Sequence, residues 1–170
     1  MSEQFTQRIT AEIRDFIASR RSLTLSTLNE LNEPYTSYAP FALDAECIYV
    51  LLSEIALHAL YLQSRPVASA LIIEDEGTAE QLFARVRVNL SLDAIHIKET
   101  QDEWQHGIET LAQRHGERIN NLSSMSDFKL FRLVPKDGRY VKGFGKAFSL
   151  EGNVLVNPQI VHLKEGHKKR

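Results

Sequence analysis

Apolar side chains open the chain at helical spacing: Phe5, Ile9, Ile13, Phe16 and Ile17 fall on one side, Glu12, Arg14 and Asp15 on the other. That stripe predicts an amphipathic helix lying against a sheet. From Ser22 the period shortens. Leu23-Thr-Leu-Ser-Thr-Leu28, a polar Asn29-Glu-Leu-Asn-Glu-Pro34 turn and Tyr35-Thr-Ser-Tyr-Ala-Pro-Phe41 predict a hairpin, and Ile48–Leu52 a buried strand after the acidic turn Asp44-Ala-Glu46. Ile55–Leu62 predicts a short helix carrying His58, stopped before Pro66 because proline disfavours helical geometry in the residue that precedes it. Val67–Glu74 and Leu82–Ile97 predict two more strands around the acidic Glu74-Asp-Glu-Gly77 turn, the second long enough to bend around a barrel.

Trp104, Ile108, Leu111, Ala112 and His115 share a helical face that Gly116 interrupts or ends, and Ile119 and Leu122 carry the pattern onward. After Ser123-Ser-Met-Ser126, Phe128–Val134 returns to strand. Pro135-Lys-Asp-Gly138 supplies turn residues, and Arg139–Leu150 predicts the last long strand, with Gly143 and Gly145 where a bulge or close backbone approach is expected. Six or seven strands with few helices predict a mainly β fold, a small Greek-key barrel rather than a doubly wound sheet, which needs a helix after nearly every strand. No repeat, low-complexity tract or linker interrupts residues 1–170, so one domain is expected, with 157–170 as a flexible basic tail.

Composition narrows the class further. With 43% hydrophobic and 25% charged residues the chain is ordinary for a soluble domain. A formal charge of -2 supplies no global positive field, so nucleic acid is not an expected partner. The opening segment lacks an apolar run after a basic start, and no run approaches the ~20 residues that cross a bilayer. Cys47 is the single cysteine and excludes an internal disulfide. A cytoplasmic protein without membrane attachment is the expectation.

Candidate chemistry is sparse. His58, His96, His106 and His115 are scattered, with no His-x-x-x-His or Cys-x-x-Cys pair, and no phosphate loop, nucleophile elbow or dinucleotide fingerprint occurs. The unusual segment is Val161-His-Leu-Lys-Glu-Gly-His-Lys-Lys-Arg170, where His162 and His167 stand among four basic side chains, Lys168 included. A neutral imidazole ligates haem iron and nearby Lys or Arg neutralise propionates, although a basic tail with a histidine is also a common solvated terminus. Arg85 and Arg87, two apart on a predicted strand, share one face and suit either an anionic ligand or a solvated surface or inter-subunit ion pair. His58, flanked by Ala56, Leu57, Ala59 and Leu60, reads as a packed or interface histidine as readily as a functional one. Asp127 is either a residue closing a loop or the carboxylate that takes the second N–H of a ligating imidazole.

Ser37-Tyr-Ala-Pro-Phe41, the His58 helix, Ile72-Ile-Glu-Asp-Glu76, Leu82-Phe-Ala-Arg-Val-Arg87, Asp127-Phe-Lys-Leu-Phe-Arg132, Val141-Lys-Gly-Phe-Gly145 and Val161-His-Leu-Lys-Glu-Gly-His167 occur in one order along nearly the whole chain. Together they resemble the HutZ/HugZ-type haem-utilisation proteins, a branch of the pyridoxamine 5'-phosphate oxidase-like, FMN-binding split-barrel superfamily. The resemblance implies a homodimeric split barrel that binds haem and opens its ring to release iron, with electrons from an external donor or reductase. It further implies His167 as axial ligand, with His162 in the same tail as the fallback, and Asp127 of the partner subunit bonded to the ligating imidazole. Arg87 and His58 match family positions near the haem at the interface. Arg87 is followed by Val-Asn-Leu-Ser, where flavin-using relatives commonly carry a glycine, so FMN is admitted by the scaffold but tight FMN binding is not expected. A flavin-dependent oxidoreductase of the pyridoxamine-phosphate-oxidase type and a non-catalytic haem carrier or storage dimer are the alternatives.

Overall fold

The computed structural model describes residues 2–163. The apolar stripe becomes α1 (Glu3–Ser19), capped by Ser2, whose hydroxyl accepts from the Phe5 N–H at 3.3 Å. Ile9, Ile13 and Ile17 are buried, each contributing about 2 kcal/mol by the area it removes from water. Then follow β1 (Ser22–Leu28), β2 (Pro34–Pro40), β3 (Ala42–Leu43), β4 (Ile48–Ser53), α2 (Leu57–Ser64), β5 (Val67–Ile73) and β6 (Arg87–Ile97). The chain continues as α3 (Asp102–His115), α4 (Arg118–Ser123), β7 (Phe128–Val141), β8 (Ala147–Glu151) and β9 (Gln159–His162). No helix among the described residues is long and apolar enough to cross a membrane.

The strands pair in the order β2-β1-β5-β6-β7-β4-β3, with β8 on β7 and β9 on β8. β7 organises this sheet. Along one side it pairs with β6, from Leu130 opposite Ile97 to Val141 opposite Arg87. Along the other, β4 takes Phe128–Leu133 and β8 takes Asp137–Val141. That fork splits the sheet into two arms, which curl around a core including Leu25, Phe41, Val50, Ile72, Leu90 and Phe131. The result is a mainly β barrel, as the pattern predicts, in the split form that the resemblance implies. α1 and α2 pack on this core, whereas α3 and α4 cover a second cluster containing Cys47, Tyr49, Ile97, Ile108, Leu111 and Leu130. Asp102 and Glu103 stand in the first turn of α3, Arg114 and His115 in its last, and Gly116 at φ +84° ends it.

Four boundaries differ from the expectation. Pro135–Gly138 is not a turn, because β7 runs through it with a bulge: Ser91 faces Asp137 while Leu92 faces Pro135, which leaves Lys136 as the extra residue. A proline has no N–H to offer a ladder, and a bulge is where one can be spared. The chain reverses instead at Lys142–Lys146, where Gly143 and Gly145 take positive φ values of 149° and 70°. Leu82–Val86 is not strand either. Leu82–Ala84 forms a single tight helical turn, Glu74 Oε1 accepts the Val86 N–H at 2.7 Å, and β6 starts only at Arg87. The helix expected over Ile55–Leu62 is displaced to Leu57–Ser64, leaving Ile55 89% exposed. Finally, the segment expected as a flexible tail from 157 begins as β9, an edge strand antiparallel to β8.

Candidate functional site

Two rows of residues crossing the sheet position Arg87 and His162. Arg87 pairs with Val141, Val141 with Ala147, and the Ala147 carbonyl accepts the Leu163 N–H at 2.9 Å. Three strand-to-strand steps of about 4.8 Å therefore place the backbones of Arg87 and Leu163 roughly 14 Å apart. Directly paired residues project to the same face, and successive residues to opposite faces. The neighbouring row, Val88, Tyr140, Phe148 and His162, thus lies on the other face, where Val88 and Phe148 enter the core.

Arg87 and Arg85 part company here. Arg85 precedes β6, and its guanidinium donates to the Glu74 carbonyl and lies 3.4 Å from Glu76 Oε1, so it closes the 74–86 loop. The shared strand face expected of the two arginines does not exist. Arg87 is half-buried, donates to the Arg85 carbonyl at 2.9 Å, and pairs with no carboxylate among the described residues. A cation held in place without a counter-charge is ready for an anion. A cleft of about 420 Å³ opens between the 74–86 loop and the β7–β8 turn, lined among others by Glu74, Glu80, Gln81, Lys142 and Phe144, with Val86 rather than Arg87 in its wall.

Asp127 sits at the opposite end of β7, immediately before Phe128. Its Oδ2 accepts from the Ser53 hydroxyl at 2.6 Å and its carbonyl from the Glu54 N–H at 2.8 Å. It is half-buried, and no cation or second donor among the described residues meets its side chain. About 45 Å of strand contour separate it from the Arg87 row. One copy of the chain therefore does not bring Asp127 to Arg87.

His58 is 8% exposed, with Nδ1 2.7 Å from Ser37 Oγ. Burial pulls its pKa below the ordinary histidine value. It is a packed, neutral ring with no hydrogen bond to Asp127 or Arg87. His162 is also engaged: its ring stacks on Phe148 at 4.8 Å and 24°, and its Nε2 lies 3.4 Å from the Gly145 carbonyl, to which only an N–H can donate. His167 and Lys168 lie outside the described residues.

Another polar cluster serves the fold. Beneath α3 the Tyr49 hydroxyl donates to Glu103 at 2.7 Å, Arg132 lies 3.5 Å from the same carboxylate, and His106 meets Asp44 at 2.7 Å. Burial, then the bond to Glu103, pushes the Tyr49 hydroxyl well above its usual range, and burial also raises the Cys47 thiol. These groups anchor α3 and have no opening toward Arg87 or Asp127 in their hydrogen-bonding. Among the described residues no three His, Cys, Asp or Glu side chains converge to hold a metal ion.

Reasoning from residues missed Ser37, Ser53, Glu74 and Phe148. Ser37 stands inside a motif the resemblance rests on, so it was visible as a position but not as a partner of His58. Glu74 likewise stands inside such a motif, and its capture of Arg85 and Val86 comes from the closing of the 74–86 loop, whereas Ser53 and Phe148 depend on strand pairings that no local pattern encodes.

The forked split barrel leaves the half-buried Arg87 guanidinium beside one end of its longest strand and the half-buried Asp127 carboxylate at the other. Residues 9–142 match the pyridoxamine 5'-phosphate oxidase family, and the chain belongs to that family. It is 42% identical over 167 residues, 98% of its own length and 94% of the relative's, to the haem oxygenase HutZ of Vibrio cholerae serotype O1. It is also similar to the crystal structure of HutZ from Vibrio cholerae, described there as a haem storage protein, with a TM-score of 0.70 and 41% identity over 74% of this chain and 88% of that one. The crystal structure of Campylobacter jejuni ChuZ gives a TM-score of 0.84 at 29% identity, covering 96% of this chain and 67% of that one.

Proposed function

We propose that this chain binds haem and degrades it oxidatively, releasing the iron, as a cytoplasmic homodimer. The observation that carries the reading is the 42% identity to a haem oxygenase along 98% of the chain. The unpaired charges agree with it. Haem is a flat apolar dianion around an iron, so it calls for a cation held near an imidazole. Arg87 is such a cation, and His167 lies four residues beyond Leu163, a span of about 14 Å when extended. The tail that leaves the Arg87 row can thus lay His167 over that row, with Lys168 and its basic neighbours beside the propionates.

Asp127 comes to this site from the second copy. Its unengaged oxygen accepts the N–H of the His167 ring, which fixes the ring's orientation and raises its basicity toward iron. Bound haem supplies the oxygen-activating chemistry; the chain holds the substrate, fixes the ligand and excludes water. Electrons come from a donor outside the chain. Ile55, Tyr38, Leu57 and Leu60, all exposed, supply apolar area for the two-copy contact. His58 supports that surface from beneath, as a packed residue away from the iron.

The test is haemin titration of the purified chain followed by ascorbate in air. The expected outcome is a Soret band that grows on titration and then bleaches as iron is released. A Soret band that persists under ascorbate makes the chain a storage dimer, the reading favoured by the description of HutZ in its crystal structure. Protein that arrives yellow with bound FMN and ignores haemin makes it a flavin oxidoreductase, as its family membership would favour.

A further inference from the structure

β9 is four residues long, lies at the edge of the fork and, among the described residues, pairs only with β8. Gln159 and Val161 face solvent, and Ile160 is its single buried apolar side chain. Such a strand has little of its own to hold it, since edge pairing without a packed face is marginal. Yet this strand ends where the segment bearing His167 begins.

What compensates is an aromatic ladder across three strands. Tyr140 on β7, Phe148 on β8 and His162 on β9 are successive cross-strand partners. Their rings lie nearly parallel, with centroids 6.1 Å apart at 23° for the first pair and 4.8 Å at 24° for the second. Phe5 of α1 closes on Phe148 at 6.2 Å, so the middle of the ladder is clamped from the core side. Tyr140 is buried, and its hydroxyl is pushed up to about 12 by that burial and by Glu12. Glu12 also pairs with Lys142 at the start of the glycine turn. The Gly145 carbonyl of that turn faces His162 Nε2. His162 thus joins the end of β9 to the ladder and to the turn beside Arg87.

We infer that His162 is a positioning residue: its stacked and hydrogen-bonded ring fixes the root of the carboxyl-terminal segment, and so the place to which the following residues deliver the iron ligand. This rests on the haem reading above for the ligand itself, but the clasp belongs to the chain with or without haem. A five-residue span from His162 to His167 reaches about 17 Å. Loosening its root would spread the ligand over a larger volume and lower its effective concentration at the iron.

Three variants of the full chain test this: His162→Ala, His162→Phe, which keeps the stacked ring, and His167→Ala. Amide hydrogen exchange of residues 159–163 in the haem-free protein comes first. His162→Ala is expected to speed it at least 5-fold and His162→Phe to restore protection to within about 2-fold, because the stacked aromatic pair is what holds the strand's end. With haemin, His162→Ala is expected to weaken binding about 10-fold while the iron–histidine stretch in the resonance Raman spectrum of the ferrous complex keeps its frequency; His167→Ala loses that band. Unchanged exchange in His162→Ala overturns the clasp whatever haem does. Loss of the iron–histidine band in His162→Ala also overturns it, by making His162 the ligand. If wild-type protein takes up no haemin, the haem reading fails, while the exchange comparison still decides the clasp.

Discussion

The two ends of β7 are built differently. At its start the side chains close on one another: Ser53 donates to Asp127, Lys129 stands 3.8 Å from Glu54, and the His96 ring lies tilted against Phe131 at 5.3 Å and 30°. Its far end is open, with the Gly143 and Gly145 turn, Arg87 without a carboxylate among the described residues, and an edge strand held by an aromatic ladder. Each end nevertheless leaves one half-buried charge without an opposite charge among the described residues, negative at the start and positive at the finish. A chain that completed its own site would bring them together. Here about 45 Å of strand contour keeps them apart, and the proposed homodimer answers this by setting the start of one β7 against the finish of the other.

Substitutions at the two ends test that contrast, beginning with the largest effect. His167→Ala removes the proposed iron ligand, and haemin affinity is expected to fall about 100-fold, at the upper end of what losing a supporting group alone costs. Titration in the Soret region reads this directly. Asp127→Asn, at the closed end, keeps shape but removes charge; haemin binding is expected to hold within a few-fold while degradation slows by about 10- to 100-fold. Equal loss of binding and turnover would mean that Asp127 only supports the fold. Arg87→Gln is expected to weaken haemin binding about 10-fold, since a hydrogen bond to a charged group contributes about 1.5–3 kcal/mol, with the melting temperature unchanged.

The smallest effect lies away from both ends. His58 is kept neutral by burial, so the unfolded chain protonates that ring before the folded chain does. Its contribution is complete above about pH 6.5, the ordinary histidine value, and is lost as pH falls through the lower folded value. His96 acts in the same direction, through burial and then Lys129 and Lys98. Urea unfolding at pH 7 and pH 5 is therefore expected to show a smaller drop for His58→Gln than for wild type.

How much of this could be read from residues alone follows the range of the forces. The stripe of Ile9, Ile13 and Ile17, the hairpin at Asn29–Pro34 and the helix stop at Gly116 are local and were legible. Pro135–Gly138 misled because a bulge and a turn want the same residue types, and only the partner strand β6 decides between them. Gly138 carries that decision: a Cβ there would stand 2.6 Å from the Asn89 carbonyl oxygen. Arg85 and Arg87 look equivalent in sequence and separate only because Glu74 captures one of them. Asp127 and Arg87 were both legible as candidates. Their placement at opposite ends of one strand was not, and that placement is why the proposed site takes Asp127 from a second copy.

The most direct test of a site shared between copies is complementation between two inactive variants. Asp127→Ala and His167→Ala are co-expressed with different affinity tags, and the mixed dimer carrying both tags is isolated and assayed for ascorbate-driven haem degradation. Such a dimer holds one complete site, with His167 from the first variant and Asp127 from the second, and is expected to regain about half the wild-type rate per dimer. A mixed dimer as inactive as either parent would contradict the account and place both residues in the site of a single copy.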